Sequence, residues 1–142
     1  METLNFLMQG FDVATRPANL LVSEGRISAI LDWEFAHAGD PDEDLGWHLA
    51  PHYADEHLVP GSWTAEDFLI RYEARAGRVV DRTAVRFWAI FALYKMSSMV
   101  LSALTWFVGG DDSRMIASAK PIVGQLLSAV AAADRDALET PT

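Results

Sequence analysis

Six of the chain's twenty acidic residues lie between positions 32 and 44, where there is no lysine or arginine. These acids are Asp32, Glu34, Asp40, Asp42, Glu43 and Asp44. Asp32 differs from the rest because it closes Arg26–Asp32, an apolar run typical of a β-strand. A carboxylate at a strand end, facing a crevice, is a suitable hard ligand for Mg²⁺. An aspartate that only caps a turn would also fit there, and spacing alone leaves both interpretations open.

Asn19 can lie beside Asp32 if the chain between them folds back as a hairpin. Leu20–Val22 is a second short apolar run, and the Ser-Glu-Gly between the runs supplies a turn in which Gly25 can take positive φ. Antiparallel pairing of the two runs brings Asn19 and Asp32 to the same end. An amide oxygen and a carboxylate placed there could share a metal ion, whereas Asn19 alone is more typical of a turn.

The histidines allow two further site hypotheses. His37, in the acidic loop, could contact a ligand or act in acid–base chemistry. Together with Asp32 and Glu34, His37 could also form the site of a metal-dependent hydrolase. His48 and His52 have the i, i+4 spacing of two zinc ligands on one helix, but an intervening proline disrupts the turn between them.

About four helices are predicted after the hairpin. Asp40 can cap the first, and Asp44 lies in its first turn, where the helix dipole favours acidic side chains. Thr64 and Asp67 have the spacing of a capping box at the start of the second, and Pro121 is expected to kink or break the last. The predicted helices run from Pro41 to Pro51, from Thr64 to Ala76, from Thr83 to Val108 and from Ser113 to Ala133, with a frayed tail after them. The predicted fold class is therefore α+β, mainly α.

The composition is that of one globular domain. A chain of 142 residues, 51% of them hydrophobic, can bury a core of its own. The net charge of -9 disfavours nucleic acid as a partner, because binding phosphates requires basic side chains. The absence of cysteine excludes disulfides and thiolate chemistry. The N-terminus lacks the pattern of a signal peptide, so we expect a cytoplasmic protein.

One apolar stretch has the length of a membrane span. Phe87–Val108 carries Lys95 as its only charged residue. That charge and two serines lie in the middle of the stretch, where a bilayer disfavours a charge. We therefore predict the buried core helix of a soluble domain, with no membrane partner.

The stretch RPANLLVSEGRISAILDWEFAHAGDPDEDLGW, Arg16–Trp47, resembles the C-terminal lobe of the aminoglycoside phosphotransferase family, whose fold is protein-kinase-like. The family pattern is His-Gly-Asp, four residues, Asn, a hairpin, Ile-Asp-Trp-Glu and then Gly-Asp-Pro-x-x-Asp-Leu. The matching positions are Asn19, Leu31–Glu34, Gly39–Pro41, Asp44 and Leu45. The resemblance is strongest to the branch of hydroxyacyl-CoA kinase-like domains.

The resemblance implies transfer of the γ-phosphoryl group of ATP to a hydroxyl of a small molecule. Asn19 and Asp32 would be the magnesium ligands and would bind the cofactor ATP through its phosphates. Asp40 and Asp44 would brace the loop that follows Asp32.

Two departures from the family pattern bear on activity. The catalytic aspartate of the family lies five positions before the asparagine, and Ala14 occupies that position. An alanine cannot orient or deprotonate a hydroxyl, and Asp12 could replace it only if the loop bulges by two residues. We also expect the N-terminal lobe, with its nucleotide-covering strands and phosphate-holding lysine, to be absent. The resemblance then implies a truncated C-terminal lobe that is inactive alone.

A single domain is expected over residues 1–142. Residues 1–47 would carry the catalytic loop, the hairpin and the metal site, 48–133 a helical subdomain, and 134–142 a tail. The alternative function is a non-catalytic, pseudokinase-like interaction or oligomerisation module, because loss of the other lobe would expose apolar surface near the hairpin. Expected partners are a small-molecule hydroxyl substrate, a second copy of the chain in a dimer, or a separate chain supplying the N-terminal lobe.

Overall fold

The computed structural model describes residues 11–12, 19–58, 63–106 and 113–139 of the chain. These residues form four short strands, a 3-10 turn and five α-helices. The strands are β1 (Phe11–Asp12), β2 (Leu20–Ser23), β3 (Arg26–Ile30) and β4 (His37–Ala38), with the 3-10 turn Trp33–Phe35 between β3 and β4. The helices are α1 (Pro41–Leu49), α2 (Pro51–His57), α3 (Ala65–Ala76), α4 (Arg82–Trp106) and α5 (Ser113–Glu139). The predicted class, mainly α with a small hairpin, is confirmed.

The hairpin is formed by β2 and β3, which pair antiparallel around a tight turn. Gly25 has φ +71° and the preceding Glu24 has φ +51°, so both turn residues are left-handed. The register shifts by one residue between Leu21 and Val22, which leaves Ser28 of β3 as the extra residue of a bulge. Its hydroxyl donates a hydrogen bond of 3.1 Å to the carbonyl of Leu21.

The chain divides into two compact units, Met1–Ala89 and Ile90–Thr142, and α4 continues from the first into the second. The buried cluster of the first unit is supplied by α1, α3 and the residues around the start of α4. Its members are Leu45, Leu69, Val80 and Val85, with Leu49, Phe68 and Tyr72 packed against them. The site described below lies in this first unit.

Glycine at position 46 permits a close approach between α1 and α4. A Cβ atom on Gly46 would lie 2.4 Å from the Cβ of Trp88 and 2.7 Å from the backbone nitrogen of Ala89. Real Cβ atoms essentially never come this close to other heavy atoms, so any larger residue would force the two helices apart. The backbone of α1 therefore lies directly against the side of α4.

The ends of α3 follow the predicted chemistry. Thr64 and Asp67 form a reciprocal capping box at its start, and Gly77 ends it in the left-handed conformation, at φ +67°. The capping box predicted there is confirmed. Arg82, at the start of α4, binds the carboxylates of Glu66 and Glu73.

Two helices differ from the predicted boundaries. α1 ends at Leu49, before Pro51, and Pro51 is the first residue of the separate helix α2. The last helix, α5, continues past Pro121 to Glu139, so the break predicted at Pro121 and the frayed tail predicted from 134 are not seen in the described residues.

Helix α4 is less buried than predicted. Its segment Arg82–Ala103 is long and apolar enough to cross a membrane by length and composition, but 28% of its most apolar window is buried. Phe87, Tyr94 and Leu101 are exposed, whereas Val85, Leu93 and Met96 are buried. Length and composition do not distinguish a core helix with one exposed face from a membrane helix, so the soluble setting stays a prediction.

Candidate functional site

Asn19 and Asp32 meet at the open end of the hairpin. The backbone N–H of Leu31 donates to the carbonyl of Asn19 at 2.8 Å, which extends the pairing beyond β3. The Asn19 amide then donates from Nδ2 to Asp32 Oδ2 at 3.2 Å, on the exposed side of the hairpin. The juxtaposition predicted from two apolar runs and a turn is therefore present.

Asp32 has a left-handed backbone, with φ 64° and ψ 55°. This conformation is uncommon outside glycine, and aspartate and asparagine tolerate it better than most residues. It ends β3 and directs the chain into the 3-10 turn, where the indole of Trp33 donates to the carbonyl of Ile30 at 2.7 Å. The turn closes with a bond of 3.0 Å from Ala36 N to the carbonyl of Trp33. Asp32 is thus held at a sharp change of direction.

The pair fits a magnesium ion carried by phosphates better than a closed metal cage. Mg²⁺ commonly binds one or two protein carboxylates and takes its other ligands from phosphates and water. Asp32 supplies a carboxylate and Asn19 an amide oxygen. Because the NH₂ group of Asn19 faces Asp32, the amide must flip before its oxygen and the carboxylate can bind the same ion. Among the residues that the structure describes, no three acids or histidines cluster as a metal-binding group.

The hydrolase hypothesis rested on Asp32, Glu34 and His37. The side chain of Glu34 lies outside the described part of the structure. His37 points its Nδ1 at the carbonyl of Phe35 at 3.0 Å, and its Nε2 lies 3.3 Å from Glu43 Oε2. The imidazole therefore pairs with α1, and nothing in the described residues supports a three-ligand site.

Asp40 joins two helices. Its Oδ1 accepts from the backbone N–H of Asp42 at 2.9 Å, the N-cap bond of α1. Its Oδ2 accepts from the indole Nε1 of Trp88, on α4, at 3.3 Å. Asp44 is half-buried in the first turn of α1. The sequence provided the cap but not Trp88, which is 48 positions away in an apolar helix and shows no local signal.

Asp42 and Glu43 are buried, which the sequence pattern did not indicate. Asp42 binds the guanidinium of Arg78, and the same guanidinium donates to the hydroxyl of Tyr72 at 3.4 Å. Burial works to lower the pKa of Arg78, but the hydrogen bonds that Arg78 donates to Asp42 and Tyr72 outweigh it and raise that pKa above its usual value. Arg78 therefore stays charged and neutralises a buried carboxylate in the first turn of α1.

The region of the expected base is only partly described. Ala14 lies outside the described residues, as does the side chain of Asp12. The backbone of Asp12 pairs with His37 in the two-stranded sheet of β1 and β4. The strand that precedes position 14 is therefore anchored beside the loop that follows Asp32.

His48 and His52 do not share a helix. α1 ends at Leu49, and Ala50, with ψ 136°, separates it from α2. The ring of His48 stacks on Phe68 with centroids 4.7 Å apart. The i, i+4 geometry of a helical zinc pair is therefore not formed.

The geometry places the predicted ligand pair, the turn after it and the cap of α1 in one continuous segment. Residues 15–88, just over half of the chain, match the family model described as APH, phosphotransferase enzyme family. The chain therefore belongs to this phosphotransferase family. Searches of curated proteins and of solved structures gave no match.

Proposed function

We propose that the chain contributes the magnesium-holding half of a site that transfers the γ-phosphoryl group of ATP to a hydroxyl of a small molecule. One observation carries the proposal: Asn19 Nδ2 lies 3.2 Å from Asp32 Oδ2 at the open end of the hairpin, inside the segment that matches the family. Mg²⁺ bound there would neutralise charge on the ATP phosphates. Both side chains lie on an accessible edge, where phosphates could reach them.

Each of the two ligands has a distinct part in this proposal. Asp32 brings the negative charge that attracts the ion, and its left-handed backbone places it at the point where the strand ends. Asn19 adds a neutral oxygen and, without metal, donates to the carboxylate and orients it. Asp40 and Trp88 would hold the following helix in place without touching the phosphates.

We further infer that these residues correspond to the C-terminal lobe of a hydroxyacyl-CoA kinase-like domain and that the chain alone does not turn over substrate. The family's base position is Ala14, which has no group to accept a hydroxyl proton. An N-terminal lobe, from the same polypeptide or from another chain, would have to supply the remaining phosphate contacts. Asp12 is the nearest residue on the N-terminal side of Ala14 that could act as a base.

The test is titration of Mg²⁺-ATP into the chain by isothermal calorimetry, comparing Asp32→Asn with Glu24→Gln. Both variants remove one exposed carboxylate from a residue with positive φ, at opposite ends of the same hairpin. Asparagine tolerates the left-handed backbone, so Asp32→Asn removes the charge while leaving the turn intact. We expect binding that Asp32→Asn abolishes and Glu24→Gln preserves. No binding at millimolar nucleotide, or equal loss in both variants, would exclude the proposed metal-holding role for the chain.

A second candidate function, an interaction or oligomerisation module, is favoured by apolar surface around the hairpin. This hairpin patch comprises Leu21, Val22, Leu31, Trp33 and Phe35, all exposed. Val22 is the most open of them, at 65% exposure. Light scattering would detect a dimer if the patch is used between copies, and Val22→Lys should then dissociate it. A strict monomer across micromolar concentrations would leave this candidate without support.

A further inference from the structure

His37 connects three parts of the first unit through one imidazole ring. It lies in β4, two residues after the end of the 3-10 turn Trp33–Phe35 that follows Asp32, here called the Asp32 turn. Its Nδ1 reaches back 3.0 Å to the carbonyl of Phe35, the last residue of that turn. Its Nε2 lies 3.3 Å from Glu43 Oε2, in the first turn of α1. The ring therefore bridges the end of the Asp32 turn and a helix.

The contacts of Nδ1 and Nε2 bear on which ring nitrogen of His37 carries a proton. A backbone carbonyl only accepts hydrogen bonds, so Nδ1 must carry a proton to make the bond to Phe35. The 3.3 Å contact between Nε2 and Glu43 Oε2 is an ion pair when the ring is protonated. The side chain of Glu43 is 7% exposed and that of His37 is 46% exposed, so the contact joins a buried carboxyl group to a solvent-accessible imidazole.

Gly39 leaves the space that this pair needs. A Cβ atom at position 39 would lie 3.2 Å from His37 Nε2 and 3.5 Å from Glu43 Oε2. The first distance is tighter than ordinary van der Waals contact, so a side chain there would press on the ring at the atom that faces Glu43. Glycine between β4 and the cap of α1 thus keeps the ring and the carboxylate in contact.

We propose that His37 and Glu43 form a positioning pair that fixes the turn carrying Asp32 against α1. The inference rests on the proposed function, in which Asp32 holds Mg²⁺-ATP. The reason is mechanical: a left-handed aspartate persists only where its surroundings hold it. Asn19 holds the start of the segment through Leu31, and His37 holds its end through Phe35. Glu43 anchors the ring in a buried part of the fold, so the turn takes its position from α1.

Hydrogen exchange of backbone amides, followed by NMR in the full chain, tests the pair without requiring nucleotide. The reporters are the amides of Leu31 and Ala36, which donate within the Asp32 segment. In His37→Ala we expect both to exchange up to roughly tenfold faster, the factor expected for losing one hydrogen bond. The amides at the end of α1 should not change. The control variant is His52→Ala, which removes a partly buried histidine from the same unit.

Conservative variants separate positioning from bulk structure. Glu43→Gln retains an oxygen that accepts from Nε2, so it should preserve most of the protection that Glu43→Ala loses. His37→Asn can donate to Phe35 but cannot reach Glu43, so it should lose protection as His37→Ala does. Unchanged exchange at Leu31 and Ala36 in His37→Ala would overturn the proposal. Equal acceleration throughout α1 and α3 would also overturn it, because the pair would then be a general structural contact.

Calorimetry with Mg²⁺-ATP on the same variants keeps the two proposals distinguishable. If the wild-type chain binds and His37→Ala weakens binding several-fold in parallel with the local exchange, the pair positions Asp32 for the nucleotide. If wild type binds and His37→Ala binds equally well despite faster exchange, the positioning role is refuted while the proposed function stands. If wild type does not bind, the proposed function fails, and the exchange data still decide whether the pair fixes the turn.

Discussion

Replacing Gly46 by alanine should destabilise the chain, although alanine is the better helix former. Within a helix the exchange favours folding by about 1 kcal/mol when nothing opposes it. At position 46 the added methyl would lie 2.4 Å from Trp88 Cβ, 2.6 Å from the Trp88 carbonyl carbon and 2.7 Å from Ala89 N. Two of these atoms are backbone, so no rotamer change relieves the clash, and the helices must separate by roughly 1 Å to reach ordinary contact distance.

The separation would act on two neighbouring interactions. Leu45, beside Gly46 on α1, belongs to the buried cluster, and Trp88 donates to Asp40 at 3.3 Å, already near the limit of a hydrogen bond. Overpacking of this kind typically costs about 1–3 kcal/mol. Because two of the clashing atoms are backbone, the cost should lie in the upper part of this range, at about 2–3 kcal/mol. Less the gain of about 1 kcal/mol in helix propensity, Gly46→Ala should lose roughly 1–2 kcal/mol of stability, and more if the Trp88 bond breaks.

The assay is urea denaturation followed by far-UV circular dichroism, with Gly124→Ala as the matched control. Gly124 also lies inside a helix, and a Cβ there would meet nothing within 4 Å. We expect Gly124→Ala to raise stability by about 0.5–1 kcal/mol, so the same exchange should have opposite signs at the two positions. A Gly46→Ala variant as stable as wild type, or more stable, would refute the close approach of α1 and α4.

Three further perturbations follow from the polar contacts. Arg78→Met should destabilise the fold by roughly 2–3 kcal/mol, measured by urea denaturation. This is less than the loss expected for a fully buried pair, because the arginine is partly solvated. The double variant Arg78→Met, Asp42→Leu should recover part of that loss. Thr64→Ala should remove the N-cap of α3 and lower stability by about 1 kcal/mol, measured in the same way. Hydrogen bonds from Arg82 and from the Val80 amide lower the pKa of Glu73 below its ordinary 4.5, so this carboxylate stabilises the fold above pH 4.5 and loses its contribution as the pH falls below that value. Glu73→Gln should therefore flatten the acid limb of a stability–pH curve, and an unchanged limb would contradict that assignment.

The parts of the site that sequence predicted are those set by short-range chemistry. The hairpin follows from two apolar runs and a turn glycine, and that alone places Asn19 opposite Asp32. The caps of α1 and α3 follow from Asp40 and Thr64 standing just before helical periodicity. Each capping signal lies within a few residues of the helix start that it specifies. In the hairpin, the antiparallel register of β2 and β3 brings the two ends together.

The parts that sequence could not predict are contacts between distant segments. The bond from Trp88 to Asp40 and the pairing of Arg78 with Asp42 depend on how α1 lies against α3 and α4. Neither residue type indicates its partner in the sequence. A tryptophan in an apolar helix is typical of a core position, and an arginine after a helix-ending glycine is typical of solvated surface. The continuation of α5 beyond Pro121 is a similar case, since local propensity favours a break that the fold does not make.

The acidic side chains of residues 32–44 therefore have different tasks. Asp32 is exposed at a strand end, where its carboxylate accepts from the Asn19 amide. Asp40 caps a helix, while Asp42 and Glu43 are buried against Arg78 and His37. Charge repulsion within the cluster is thus offset in part by the guanidinium of Arg78 and by the N-terminus of α1. Among the acids whose side chains the structure describes, Asp32 is the one placed beside Asn19, and the proposed metal role of that pair is what Asp32→Asn tests.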